Sequence, residues 1–161
     1  MNAVKMLKQQ HREVEKMFEE FEAAKSAGSR RKIFEQIADA LAIHGAIEER
    51  HFYPAVKEEQ TEDILLESVE EHLEIKRVIA DLLAMEADDE NFEAKVKVLQ
   101  EDVDHHVEEE QDELFPKVEK LFDKETLEAI GEAMEETQAE LIAEGSPRDA
   151  VLSETDAAAP I

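Results

Sequence analysis

The sequence predicts an all-α protein: an up-down-up-down antiparallel four-helix bundle over residues 1–120, an additional C-terminal helix over 121–144, and a disordered tail over 145–161. Three observations carry this. Apolar residues recur at alternating steps of three and four through four long stretches, the period of a helix with one buried face. Only four Gly and four Pro interrupt the 161 residues, so long helices have room to form. A helical hairpin is also written twice, because His44, Glu48, Tyr53 and Pro54 superpose on His106, Glu110, Phe115 and Pro116 at a single offset of 62 residues.

The first helix covers Val4 to about Ala24, with Val4, Leu7, His11, Val14, Phe18 and Phe21 on one stripe. Gly28 and Ser29 mark a turn, and Arg30-Arg31-Lys32 open a second helix that reaches at least Tyr53. Pro54 is expected to end or kink it, since proline removes an intrahelical hydrogen bond and clashes with the preceding turn. Thr61-Glu62-Asp63 start a third helix with the stripe Leu65, Ser68, His72, Ile75, Ile79, Leu82. Asp88, Asp89 and Asn91 turn and cap the chain before a fourth helix, roughly Phe92 to Phe115, where Pro116 repeats the break. Asp123 caps a fifth helix whose stripe, Leu127, Ile130, Met134 and Leu141, packs on the bundle. From Gly145 onward the chain reads as a disordered tail.

Charge and residue usage remove whole classes of function. With 43 acidic against 18 basic residues the formal charge is −25, which repels nucleic acid and anionic membrane. No Cys is present, so disulfides, iron–sulfur clusters and thiolate zinc sites are out of reach. The first ten residues lack the apolar run of a signal peptide and no stretch approaches a membrane span, which gives the expectation of a cytoplasmic protein.

The stripes contain residues that do not belong in a core. One runs Phe92, Val96, Leu99, Val103, His106, Glu110, Glu113, and its counterpart runs Ile37, Leu41, His44, Glu48, His51. Residues four apart stand one turn above each other, so each copy presents an imidazole beside a carboxylate on the inward face. A buried carboxylate without a compensating charge costs several kcal/mol, of the order of what a whole domain has to spare, and a metal ion is such a compensation. A single His on an apolar face is usually a satisfied core histidine, but here His11, His44, His72 and His106 come one per helix and are related by the repeat. The stoichiometry points to two ions: His11 and His44 on one, His72 and His106 on the other, Glu48 and Glu110 bridging, and positions left open for water, O₂ or peroxide. Imidazole with carboxylate suits iron, manganese or zinc. His51 and Glu113 continue the stripes and are further ligand candidates, and with Tyr53 they are the only core groups spare for acid/base work. His105, with Glu109 four residues on, is a competing register that the stripe turns outward.

A lone His followed by His-x-x-x-Glu and an aromatic-Pro ending, given twice, resembles the hemerythrin-like (HHE cation-binding) domains over about residues 4 to 120. The resemblance implies a left-turning four-helix bundle around an oxo- or hydroxo-bridged non-haem di-iron centre that binds O₂, in a group whose members are also proposed to sense oxygen, handle iron, or decompose peroxide and nitric oxide. It therefore gives two expectations: a di-iron protein binding O₂ or a related small oxidant, or a di-iron enzyme that decomposes hydrogen peroxide or oxidises Fe(II). Oxygen-carrying hemerythrins have His-x-x-x-His on the third helix, where this chain has His72 and Lys76, and His-x-x-x-x-Asp on the last, where it has His106-x-x-x-Glu110. These departures move the chain from simple O₂ carriage towards the wider group. Glu48-x-x-His51 also matches a ferritin-like element, but that architecture needs a Glu where His11 and His72 stand.

Overall fold

The computed structural model describes all 161 residues, and every regular element in it is helical. Four long helices form the bundle: α1 (Ala3–Ala23), α2 (Ala27–Ile47), α3 (Glu62–Leu83) and α4 (Phe92–Glu109). A fifth, α5 (Lys124–Glu144), crosses α1 and the end of α2. Side-chain caps fix where several of them begin. Asn2 accepts hydrogen bonds from the Val4 and Lys5 amides, Ser26 from the Ser29 amide, and Asp123 from the Thr126 amide. The second helix thus starts at Ala27, ahead of the expected turn at Gly28 and Ser29, because Ser26 is the better cap.

Pro116 does not stop its helix, whereas the helix carrying Pro54 ends one residue later, at Ala55. α2 passes into a π-turn over Glu48–Phe52 and then a last α turn at Tyr53–Ala55, while α4 passes into a π-turn over Glu110–Leu114 and continues as Phe115–Leu121. Pro54 and Pro116 lie just after these widened turns, near the start of the resumed helix. Such a turn accommodates a residue that cannot donate to the preceding carbonyl, so the backbone widens instead of stopping. The expectation of a break at Pro116 is corrected accordingly: the fourth rod extends six residues beyond Phe115, to Leu121.

The core is in two pieces. One apolar cluster includes Leu7, Ile47, Phe52, Leu65, Leu114 and Phe115, and the other includes Val14, Phe18, Phe34, Ile37, Ile79 and Leu99. Along every helix the residue that separates them is polar: His11 on α1, His44 and Glu48 on α2, His72 on α3, His106 and Glu110 on α4.

The tail is ordered, contrary to the expectation from its composition. Pro147–Ser153 forms a 3₁₀ helix laid across α2 and α3. Val151 is inserted into the second apolar cluster at 2 % exposure, and Arg148 binds Asp39 at 2.9 Å and Glu35 at 2.8 Å. Arg77 donates to the Thr155 carbonyl at 2.9 Å. Val151, Ala158, Ile161 and two arginine anchors are too scattered to show as a periodic pattern, yet they fasten the segment. At the other end α5 receives the N-terminus: a Cβ on Gly131 would lie 1.7 Å from the Met1 carbonyl oxygen, so only glycine permits this approach. No helix is long and apolar enough to cross a membrane.

Candidate metal centre

The polar layer between the two apolar clusters gathers all six inward residues. His11, His44, His72 and His106 are each at most 8 % exposed, and Glu48 and Glu110 are fully buried. Every imidazole turns Nε2 toward the centre. His11 Nε2 lies 3.1 Å from Glu110 Oε1, His44 Nε2 lies 3.1 Å from Glu48 Oε1, and His72 Nε2 lies 3.0 Å from Glu48 Oε2. His106 Nε2 is 3.4 Å from Glu110 Oε1 and 4.0 Å from Glu48 Oε2. The donors fall into two groups: His11, His44, Glu48 and Glu110 around one point, and Glu48, His72 and His106 around a second. Glu48 sends one oxygen to each, and Glu110 Oε1 lies within reach of both His11 and His106.

A third kind of donor joins them. The Tyr53 hydroxyl, fully buried, stands 3.1 Å from Glu48 Oε2, 3.0 Å from Glu110 Oε2, 3.2 Å from His72 Nε2 and 3.3 Å from His106 Nε2. Its position follows from the π-turn. Five residues in a plain α-helix rotate a side chain about 140° off its starting face, whereas the π-turn brings the Tyr53 amide onto the Glu48 carbonyl and returns residue 53 to the face of residue 48. In the other half the same geometry brings Phe115 over His11, with ring centroids 5.9 Å apart and planes 12° from parallel.

The added residue also displaces two sequence candidates. His51 and Glu113 lie three residues past Glu48 and Glu110, on the expected stripe, but the widened turn rotates them away. His51 Nε2 meets Thr137 Oγ1 of α5 at 2.7 Å, and Glu113 is exposed. His105 points outward, as the stripe requires, and faces Glu71 at 3.3 Å and Glu109 at 3.1 Å.

The electrostatics of the cluster match its donor set. Burial alone would raise the Glu48 carboxyl, but the surrounding His44, His106 and His72 reverse this and hold it well below the usual range. Burial lowers His106, yet Glu110, Glu48 and Glu71 together push it well above an ordinary histidine. Burial and the charges of Glu110 and Glu48 push the Tyr53 phenol well above its usual value. Two buried atoms, His44 Nε2 and Glu48 Oε1, face each other without hydrogen-bond geometry to any partner. Such orphaned donor atoms, aimed at one point, fit a cation better than each other.

Outside this ring, each imidazole has an oxygen behind its Nδ1. Gln10 stands 2.7 Å from His44, Gln111 is 3.4 Å from His11, and Glu71 is 2.9 Å from His106. Glu49 is 3.7 Å from His72, an ionic contact instead of a hydrogen bond, and Lys76 holds that carboxylate at 2.9 Å. These backing groups fix the ring orientation and leave Nε2 as the free donor.

The model of the hemerythrin HHE cation-binding domain matches residues 2–118. The chain belongs to that family. A solved HHE cation-binding domain-containing protein from Mycobacterium kansasii has the same fold, with a TM-score of 0.79 at 20 % identity over 96 % of this chain and 99 % of that one. A curated protein of Nostoc sp. (strain PCC 7120), named DNA nickase, is 27 % identical over 128 residues, which are 80 % of this chain but 36 % of that protein. The chain therefore spans about a third of that relative's length. For this HHE chain the family match and the buried His/Glu groups agree on a site able to hold metal.

A cavity of about 50 Å³ opens onto the centre from the side of the second apolar cluster. All four histidines border it together with Val14, Leu41, Ile75, Ile79, Val103 and Val151. Gln10, Lys76 and Glu154 also border it, and its volume suits a molecule of a few atoms, since roughly 10–15 Å³ of such space accepts one water.

Proposed function

We propose that this chain is a hemerythrin-like non-haem di-iron protein that binds O₂ or a related small oxidant. His11 and His44 hold one ion, His72 and His106 hold the other, and Glu48 and Glu110 bridge them, with Tyr53 as a further oxygen donor on the second. The observation that carries this reading is the convergence of four Nε2 atoms and two buried carboxylates on two adjacent points, with Glu48 divided between them. Iron suits mixed imidazole, carboxylate and phenol donors, and when bound it supplies reversible redox chemistry toward O₂ or peroxide.

The protein's own contribution is positional. Acceptors behind the Nδ1 atoms of His11, His44 and His106 keep those imidazoles in the Nε2-donating form, the cavity gives a small molecule access to the centre, and the Glu pair offsets part of the charge of two cations. A second reading, turnover of hydrogen peroxide or oxidation of Fe(II), is favoured by Tyr53, a buried hydroxyl able to hold or give a proton at the centre. Nucleic acid stays outside the proposal: the formal charge of −25 opposes phosphate, and the nicking named for the relative belongs to a much longer protein.

The test is iron loading followed by metal analysis and absorbance, first in air and then with peroxide. Two irons per chain and an oxy band that reverses on deoxygenation support binding. Rapid O₂ evolution from peroxide moves the assignment to the enzyme, and a protein that takes up no metal ends both readings.

A further inference from the structure

The repeat that builds the centre is broken at three positions beside it, all in the same sense. Gln10 behind His44 corresponds to Glu71 behind His106, Gln111 behind His11 corresponds to Glu49 behind His72, and Phe115 corresponds to Tyr53. In each pair the neutral or apolar member serves the His11/His44 side and the acidic or hydroxyl member serves the His72/His106 side. The inner His and Glu residues are alike in both halves, so the difference lies in what stands around them.

A carboxylate that accepts from Nδ1 draws the ring proton toward itself and makes Nε2 a stronger donor, while an amide oxygen orients the ring without adding charge. Lys76 offsets much of the Glu49 charge, and Glu49 stands beyond hydrogen-bond distance of His72. Glu71 bonds His106 directly at 2.9 Å, while its other oxygen faces His105 at 3.3 Å beside the Glu109 carboxylate, with no lysine or arginine to offset it. Of the two carboxylates, Glu71 therefore acts more strongly on the ring in front of it.

Building on the di-iron reading, we propose that the two metal positions are unequal: the His72/His106 position holds its ion more tightly, and Glu71 is the positioning residue that sets the difference, with Gln10 as its neutral counterpart. The His11/His44 position is the labile one, from which an ion is lost or exchanged first. The repeat supplies two like nests, and the groups behind the rings make one of them deep and the other shallow.

The experiment loads the full chain with two equivalents of zinc and follows release into excess chelator with a zinc-responsive dye. The expected course is two phases of one ion each, separated by roughly tenfold or more, since groups behind metal-bound His change affinity about 10- to 100-fold. His11→Ala removes the fast phase and leaves the slow one. Glu71→Gln keeps an acceptor for His106 Nδ1 but removes the charge, and it speeds the slow phase toward the fast one. Gln10→Glu slows the fast phase, an independent result should the first variant fold poorly. ⁵⁷Fe Mössbauer spectra of the loaded protein show two doublets, and Glu71→Gln shifts one of them. Two ions released together by the wild type, or phases unmoved by both Glu71→Gln and Gln10→Glu, overturn the proposal while leaving the di-metal reading intact. A chain that takes up no zinc and no iron overturns both.

Discussion

Replacing Tyr53 by Phe removes one oxygen from the middle of the molecule, and the structure allows the effect on the metal-free protein to be worked out. The hydroxyl lies within 3.0 to 3.3 Å of two carboxylates and two imidazoles. It carries a single proton, which burial and the charges of Glu110 and Glu48 keep in place, so it donates to one carboxylate at a time. The loss is thus one hydrogen bond to a charged acceptor, about 1.5–3 kcal/mol. The remaining penalty is small: Glu48 still faces His44 and His72, Glu110 still faces His11 and His106, and the ring keeps its packing on Phe52 and His72. A net loss of about 2 kcal/mol with a urea slope of roughly 1–3 kcal/mol per molar moves the midpoint down by about 1 M. Far-UV circular dichroism of the metal-free protein in urea measures it. With zinc bound, the gap between Tyr53→Phe and wild type widens, because a metal donor is lost as well. An unchanged or raised midpoint in the metal-free variant refutes the placement of the phenol as the hydrogen-bonding hub of the cluster.

Three further outcomes are expected. His51→Ala leaves metal content per chain unchanged in elemental analysis and costs about 1 kcal/mol in urea, the value of its bond to Thr137. Val151→Asp puts a carboxylate where a 2 %-exposed side chain borders the cavity, so the 3₁₀ segment lifts off, and limited trypsin digestion at Arg148 accelerates while helix content holds. Asp123 is held below its usual value by its bonds to Thr126, so its stabilising effect is full above the unfolded carboxyl pKa of about 3.9 and disappears as pH falls through the lower folded value. The urea midpoints of Asp123→Ala and wild type therefore differ at pH 7 and draw together as the pH falls below the unfolded carboxyl value.

Bundle, repeat and inward histidines are legible in the sequence because each depends on a period that survives there: His11, His44, His72 and His106 occupy core positions of unbroken α stripes. The residues past Glu48 and Glu110 mislead for one reason. A plain helix of 3.6 residues per turn assigns the next inward place to His51 and Glu113, and the π-turns reassign it to Tyr53 and Phe115. Pro54 and Pro116 are the signal, since each marks a widened turn just before it. The groups behind the rings escape for a different reason. Gln10, Glu49, Glu71 and Gln111 reach a histidine on another helix, so their partners follow from the packing of four rods and not from spacing along one. Order in the tail is hidden in the same way, since Arg148 and Val151 act only against α2 and α3.

At two places in the chain a widened turn carries one residue more than an ordinary turn between two inward positions. Deleting one residue between 48 and 52 would let the helix close up as an ordinary one with Tyr53 four places past Glu48, within about 40° of its face, so the register after it would survive. Closing the turn as plain α-helix at full length would instead swing everything after it by about 100°, and Tyr53 would leave the interior although no ligand had been altered. Segments 48–52 and 110–114 should accordingly tolerate the loss of one outward position, such as Arg50 or Asp112, better than the gain of one.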